Sequence, residues 1–111
     1  MKKINLHIAS NNNPLNHFIQ EIKQSLKEHL KHIILFGSRA RGDNSSDFDY
    51  DCLIVVDNIT PYIKDTVDEI SGNTLYKYNA VLSAFVISEE KYHNQIFNPL
   101  LINIQREGIK L

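Results

Sequence analysis

The sequence has a single cysteine, Cys52, in 111 residues. One thiol cannot close an internal disulfide, so the chain carries no sign of an oxidising compartment. Cys52 also opens an apolar run, Cys52-Leu53-Ile54-Val55-Val56, and reads as a buried small hydrophobe rather than a thiol nucleophile. No apolar stretch approaches the roughly 18–20 residues that span a bilayer. Met1-Lys2-Lys3-Ile4-Asn5 lacks the apolar run of a secretory leader. No membrane role is expected, and the cytoplasm is the default location. A charge excess is absent too: 12 basic against 13 acidic residues leave a formal charge of -1. Dedicated nucleic-acid binders carry a basic surplus, so nucleic acid is not an expected partner. The five histidines, His7, His17, His29, His32 and His93, show no metal-ligand spacing. Repeats, low-complexity tracts and linkers are missing, and the length suits one domain over residues 1–111.

What remains is ordinary globular patterning. Asn13 suits a helix cap and Pro14 the first helical position. Leu15, Phe18, Ile19, Ile22, Leu26 and Leu30 then recur at helical spacing, predicting an amphipathic helix over residues 14–30. His32 to Phe36 reads as a buried strand that stops at Gly37, and Asp49 to Asp57 as a second strand. The continuous apolar end of the second strand implies cover on both sheet faces. Thr60-Pro61 opens a helix with Ile63, Val67 and Ile70 on one side and Gly72 near its end. Asn79 to Ile87 is a third strand. Ser88-Glu89-Glu90 begins a short helix, and Asn98-Pro99 begins a last one that Gly108 stops. The expected fold is α/β, a small mixed sheet with helices packed against it. The aromatics Tyr62, Tyr76, Tyr78, Tyr92 and Phe97 read as packing residues, and Lys77 as a solvated lysine.

The chemistry concentrates between Phe36 and Asp51. Gly37 follows a strand directly, and a glycine there lets the backbone approach an anion closely. The next residues could start a helix, whose free N–H groups attract phosphate. Ser38 adds a hydroxyl donor, and Arg39 and Arg41 add positive charge. Asp47 and Asp49 stand two apart at the start of a strand, so their carboxylates point to one side. Such a pair repels itself unless a cation intervenes, and magnesium favours carboxylate and phosphate oxygens. In-line phosphoryl or nucleotidyl transfer is the reaction such a site serves. Gly37 to Gly42 has P-loop spacing, but Asp43-Asn44 replace the required Lys-Ser/Thr, which excludes a Walker-type ATPase.

Gly37-Ser38-Arg39-Ala40-Arg41-Gly42 followed by Ser46-Asp47-Phe48-Asp49 resembles the signature of the minimal nucleotidyltransferases in the DNA polymerase β superfamily. The resemblance implies a polymerase β-like fold and a nucleoside triphosphate substrate, ATP above all. It implies Gly37, Ser38, Arg39, Arg41 and Ser46 on the nucleotide, and Asp47 and Asp49 as Mg2+ ligands at the reacting centre. It further implies a nucleoside monophosphate joined to an acceptor, with pyrophosphate released. Stand-alone members of this size resemble antitoxin partners of HEPN-domain proteins, which they modify with AMP.

The chain departs from that family at one point. A third carboxylate usually stands on a later strand, and Asn79 to Ile87 contains no Asp or Glu. Asn79, Ser83 and Asp51 are the candidates for that place. Two further readings therefore stay open: a nucleotide-binding module without turnover, and transfer to a small molecule as in aminoglycoside nucleotidyltransferases. No oligomeric state follows from the pattern, and homo-oligomers stay open.

Overall fold

The computed structural model describes residues 14–37, 49–94 and 98–111. The expectations placed on Asn13, His7 and Phe97 lie outside these residues.

Helix α1 covers Pro14–Leu26 and buries Leu15, Phe18, Ile19, Ile22 and Leu26. The predicted helix ran on to Leu30. Instead a 3-10 turn over Lys27–His29 follows, and Lys27 takes a positive φ of 50°. That conformation ends the helix, because the i to i+4 ladder cannot pass through a left-handed residue. Leu30 becomes the first residue of β1, Leu30–Phe36.

Strand β2 covers Asp49–Val56. It pairs antiparallel with β1, placing Phe36 opposite Asp51. It pairs in parallel with β3, Val81–Ser88, placing Asp51 opposite Ser83 and Leu53 opposite Phe85. A parallel pair needs a crossover, supplied by helix α2, Pro61–Tyr78. Thr60 Oγ1 caps its start by accepting from Ile63 N at 3.1 Å. Asn79 closes its end in the left-handed conformation, donating its N–H to Leu75 O.

The predicted end near Gly72 was too early. Gly72 is exposed with open space around it, so it costs the helix only about 1 kcal/mol relative to alanine. Thr74, one turn after Ile70, is fully buried and donates to Ile70 O at 2.9 Å. The apolar stripe Ile63, Val67, Ile70 thus carries the helix past the glycine.

Helix α3, Glu89–Asn94, follows β3 directly, with Ser88 Oγ accepting from Lys91 N. Helix α4, Pro99–Glu107, is capped by Asn98 Oδ1, which accepts from Leu100 N and Leu101 N. A two-residue strand that the pattern did not suggest, β4 (Ile109–Lys110), pairs with β1. The mixed sheet has the order β3-β2-β1-β4.

Alternation along β2 splits the core. Tyr50, Cys52, Ile54 and Val56 pack beneath α1 and α2 with Phe18, Ile22 and Val67. Leu53 and Val55 pack on the opposite face with Ile34, Tyr92, Leu101 and Ile104 of the α3–α4 side. Cys52 is buried in the first layer, and that burial pushes its thiol up to about 12, so it is no nucleophile. Phe18 is the largest fully buried side chain among the described residues. Phe18→Ala should cost about 3–5 kcal/mol in urea denaturation.

The aromatics divide. Tyr92 is buried, and Tyr78 packs partly against the first layer. Tyr62 and Tyr76 correct the packing expectation, since they are 67% and 93% exposed. Both lie on the outward side of α2, away from the Ile63–Val67–Ile70 stripe. Lys77 is exposed, as expected, with its Nζ 5.7 Å from the Tyr78 ring centre.

His32 presents a buried Nδ1 with no hydrogen-bond partner among the described residues, and its ring lies 5.8 Å from that of Tyr92. Burial lowers its pKa from the ordinary 6.5, Lys110 and His93 lower it further, and Glu89 opposes them. Just below pH 6.5 the unfolded chain therefore binds a proton that the folded chain refuses. Stability falls as pH drops through that window. A thermal-melt series should show the wild type losing more between pH 7.5 and 5.5 than His32→Gln.

Candidate active site

Gly37 ends β1 with a φ of 77°. L-residues with a Cβ rarely adopt this conformation, so the glycine is required by backbone shape. A Cβ on Gly37 would also crowd the end of the Asp51 side chain, sitting 2.5 Å from Oδ2. Gly37 and the Asp51 carboxylate are therefore neighbours in space. The sheet register produces this proximity, because Phe36, one residue before the glycine, pairs with Asp51.

Asp49 and Asp51 project from the same sheet face by strand alternation, the face that also carries Leu53 and Val55. Asp49 is exposed and Asp51 half-buried. Burial raises the pKa of Asp51, and the neighbouring Asp49 charge raises it further. Two same-face carboxylates, one of them crowded by the other's charge, beside an anion-compatible turn fit a divalent cation and a polyphosphate. Among the described residues no group of three or more His, Cys, Asp or Glu side chains gathers as a metal site.

The structure bears on the sequence-predicted residues unevenly. Gly37 and Asp49 stand at adjoining strand ends. Ser38, Arg39, Arg41, Ser46 and Asp47 lie outside the described residues. Of the candidates for the missing carboxylate, Asp51 lies beside Gly37 and Ser83 sits beside Asp51 in register. Asn79 is on neither strand, since it caps α2.

Sequence reasoning missed an aromatic pair on this same face. The Phe36 and Phe85 rings approach to 5.9 Å between centres, meeting across β2. Period-2 spacing from Ser83 places Phe85 on that face, but only the register of three strands brings it to Phe36.

A cavity of about 170 Å³ lies at the opposite end of β2, lined by His29, Asp57, Thr60 and Tyr62. There His29 Nδ1 meets Asp57 Oδ2 at 2.9 Å. The bond from His29 and one from the Asn58 N–H lower the pKa of Asp57. The strand length separates this pair from Asp49.

The nucleotidyltransferase domain family matches residues 15–107. Among curated proteins, the provisionally named protein adenylyltransferase MJ0604 of Methanocaldococcus jannaschii is 36% identical over 94 residues, spanning 85% of this chain and 90% of the relative. MJ1305 of the same organism, similarly named, is 31% identical over 84% of this chain and 65% of its own length. Among solved structures, a chain of the toxin–antitoxin MntA–HpeT superposes with a TM-score of 0.57 at 17% identity, covering 84% of this chain and 68% of that one. A toxin–antitoxin solved with AMP-PNP gives 0.57 at 14% identity over the same shares. These likenesses support the fold, and no helix among the described residues is long and apolar enough to cross a membrane. Matched along most of its length by this family, with the glycine turn and strand-borne acids already in place, the chain belongs to the nucleotidyltransferase domain family.

Proposed function

We propose that this chain is a single nucleotidyltransferase domain that transfers AMP from ATP to a protein, its partner in a toxin–antitoxin pair. The observation that carries the reading is that the positive-φ Gly37 lies beside the acidic face of β2. The relatives named as protein adenylyltransferases support the transferred group and the protein acceptor. The toxin–antitoxin solved with AMP-PNP supports an adenine nucleotide. A HEPN-domain protein is the partner that the motif resemblance suggests.

In this reading Gly37, Ser38 and Ser46 hold the phosphates, and Arg39 and Arg41 offset their charge. Asp47 and Asp49 hold Mg2+. When bound, the metal neutralises charge that builds on the attacking and leaving oxygens. An acceptor hydroxyl oxygen attacks the α-phosphorus, the bond to the bridging oxygen breaks, and pyrophosphate leaves. Asp51 stands beside the glycine turn with a raised affinity for protons, so it is placed to receive the hydroxyl proton. It thereby stands in for the carboxylate that β3 lacks.

Purified chain, ATP, Mg2+ and the candidate partner should release pyrophosphate and add one AMP to the partner by mass spectrometry. Pyrophosphate without a protein adduct would point to a small-molecule acceptor and overturn the protein-transfer reading. A second reading, nucleotide binding without turnover, draws on Ser83 occupying the place beside Asp51. Tight ATP binding with no pyrophosphate would favour it.

A further inference from the structure

We infer that Phe85, with Phe36 behind it, is the stacking surface for the nucleobase of the bound nucleotide. The inference rests on the nucleotide reading above and extends it to the other end of the substrate. Phe85 is 50% exposed on a strand whose other face packs Leu82, Ala84 and Val86 against the first layer, and it lies on the face that carries Asp49 and Asp51. Its register partner is Leu53, two residues along β2 from Asp51. One strand across and two residues along is roughly 8 Å between Cα positions. The Gly37 turn follows β1, one strand beyond Asp51, so a nucleotide with its α-phosphate over Asp51 and its outer phosphates toward Gly37 can span that distance with its sugar and place its base on the ring.

Phe36 makes the ring a fixed platform. The two phenyl groups meet at 45°, and Phe36 is itself packed against the layer of Ile34, Leu53 and Leu101. Phe85 therefore keeps one side supported and the other open. An apolar ring half-open to water gains by accepting a flat heterocycle. A phenyl ring has no hydrogen-bonding group, so this surface favours large purine faces and does not itself separate adenine from guanine.

Calorimetric titration of the full chain tests this, with ATP–Mg2+ and inorganic tripolyphosphate–Mg2+ as the two probes. Phe85→Ala should weaken ATP binding about tenfold and leave tripolyphosphate binding unchanged, while Phe85→Tyr restores ATP binding. Equal weakening of both probes would mean a general structural role and would overturn the inference. So would no weakening of either, which would assign the exposed ring to something other than the base. Asp49→Asn keeps the two levels apart. If it weakens both probes while Phe85→Ala changes neither, the nucleotide site stands and only the stacking surface falls. If the wild type binds neither probe, both fall.

Discussion

Asp49→Asn is expected to lower nucleotidyl transfer by at least about 100-fold, because in the proposed site this carboxylate holds the metal, and a metal ligand's share of transition-state charge stabilisation amounts to several kcal/mol. The fold should not suffer with it. Asp49 is exposed at the start of β2, and its charge raises the pKa of Asp51, so the carboxylate burdens the folded state. Removing it relieves a like-charge contact on one sheet face. Thermal melting should then stay level or rise slightly while pyrophosphate release collapses. A fall in both would mean that Asp49 holds the strand in place rather than serving the reaction. Asp47→Asn is expected to behave alike toward transfer.

Gly37→Ala should damage stability and transfer together. The backbone conformation alone costs a Cβ-bearing residue about 1–2 kcal/mol. The added methyl would also press on Asp51 Oδ2 at 2.5 Å. That atom ends a half-buried side chain, so Asp51 or the turn must shift. A double-mutant cycle separates the two costs. Asp51→Ala should recover the part that comes from crowding and leave the backbone part in place. Transfer should not recover in the double variant, because the carboxylate beside the turn is then gone. Full recovery of stability on pairing the two substitutions would show that the backbone conformation is unstrained.

The two predictions draw on different kinds of legibility. Asp49 and Gly37 were visible in the sequence because short-range spacing reports short-range geometry: carboxylates two apart on a strand share a side, and a glycine after an apolar strand marks a turn. Helix starts were visible for the same reason, as Thr60-Pro61 and Asn98-Pro99 show. Helix ends were less so. The Gly72 expectation failed because one exposed glycine costs less than the buried stripe through Thr74 returns. The helix expected to reach Leu30 stops at Leu26 because β1 recruits Leu30 into pairing with Val56.

A mixed sheet was legible, but which residues meet from strand to strand was not. Nothing local in Ile109-Lys110 announces a strand; it becomes one by lying against Leu35 and Ile34. Nothing local separates Asn79 from Ser83, which share a side if the strand begins at Asn79. The structure separates them by ending α2 on Asn79 and setting Ser83 beside Asp51.

The amino-acid sequence by itself determined the family and the alternating apolar segments, and it carries the motif from which the phosphate and metal residues are proposed. Each of these depends on neighbours within a few positions of the chain. The tertiary structure alone decided that Asp51 lies beside Gly37, that Ser83 lies next to Asp51, and that Phe36 and Phe85 meet across β2. Those contacts join residues far apart in the chain through hydrogen-bond register, and register is set by the packing of whole faces.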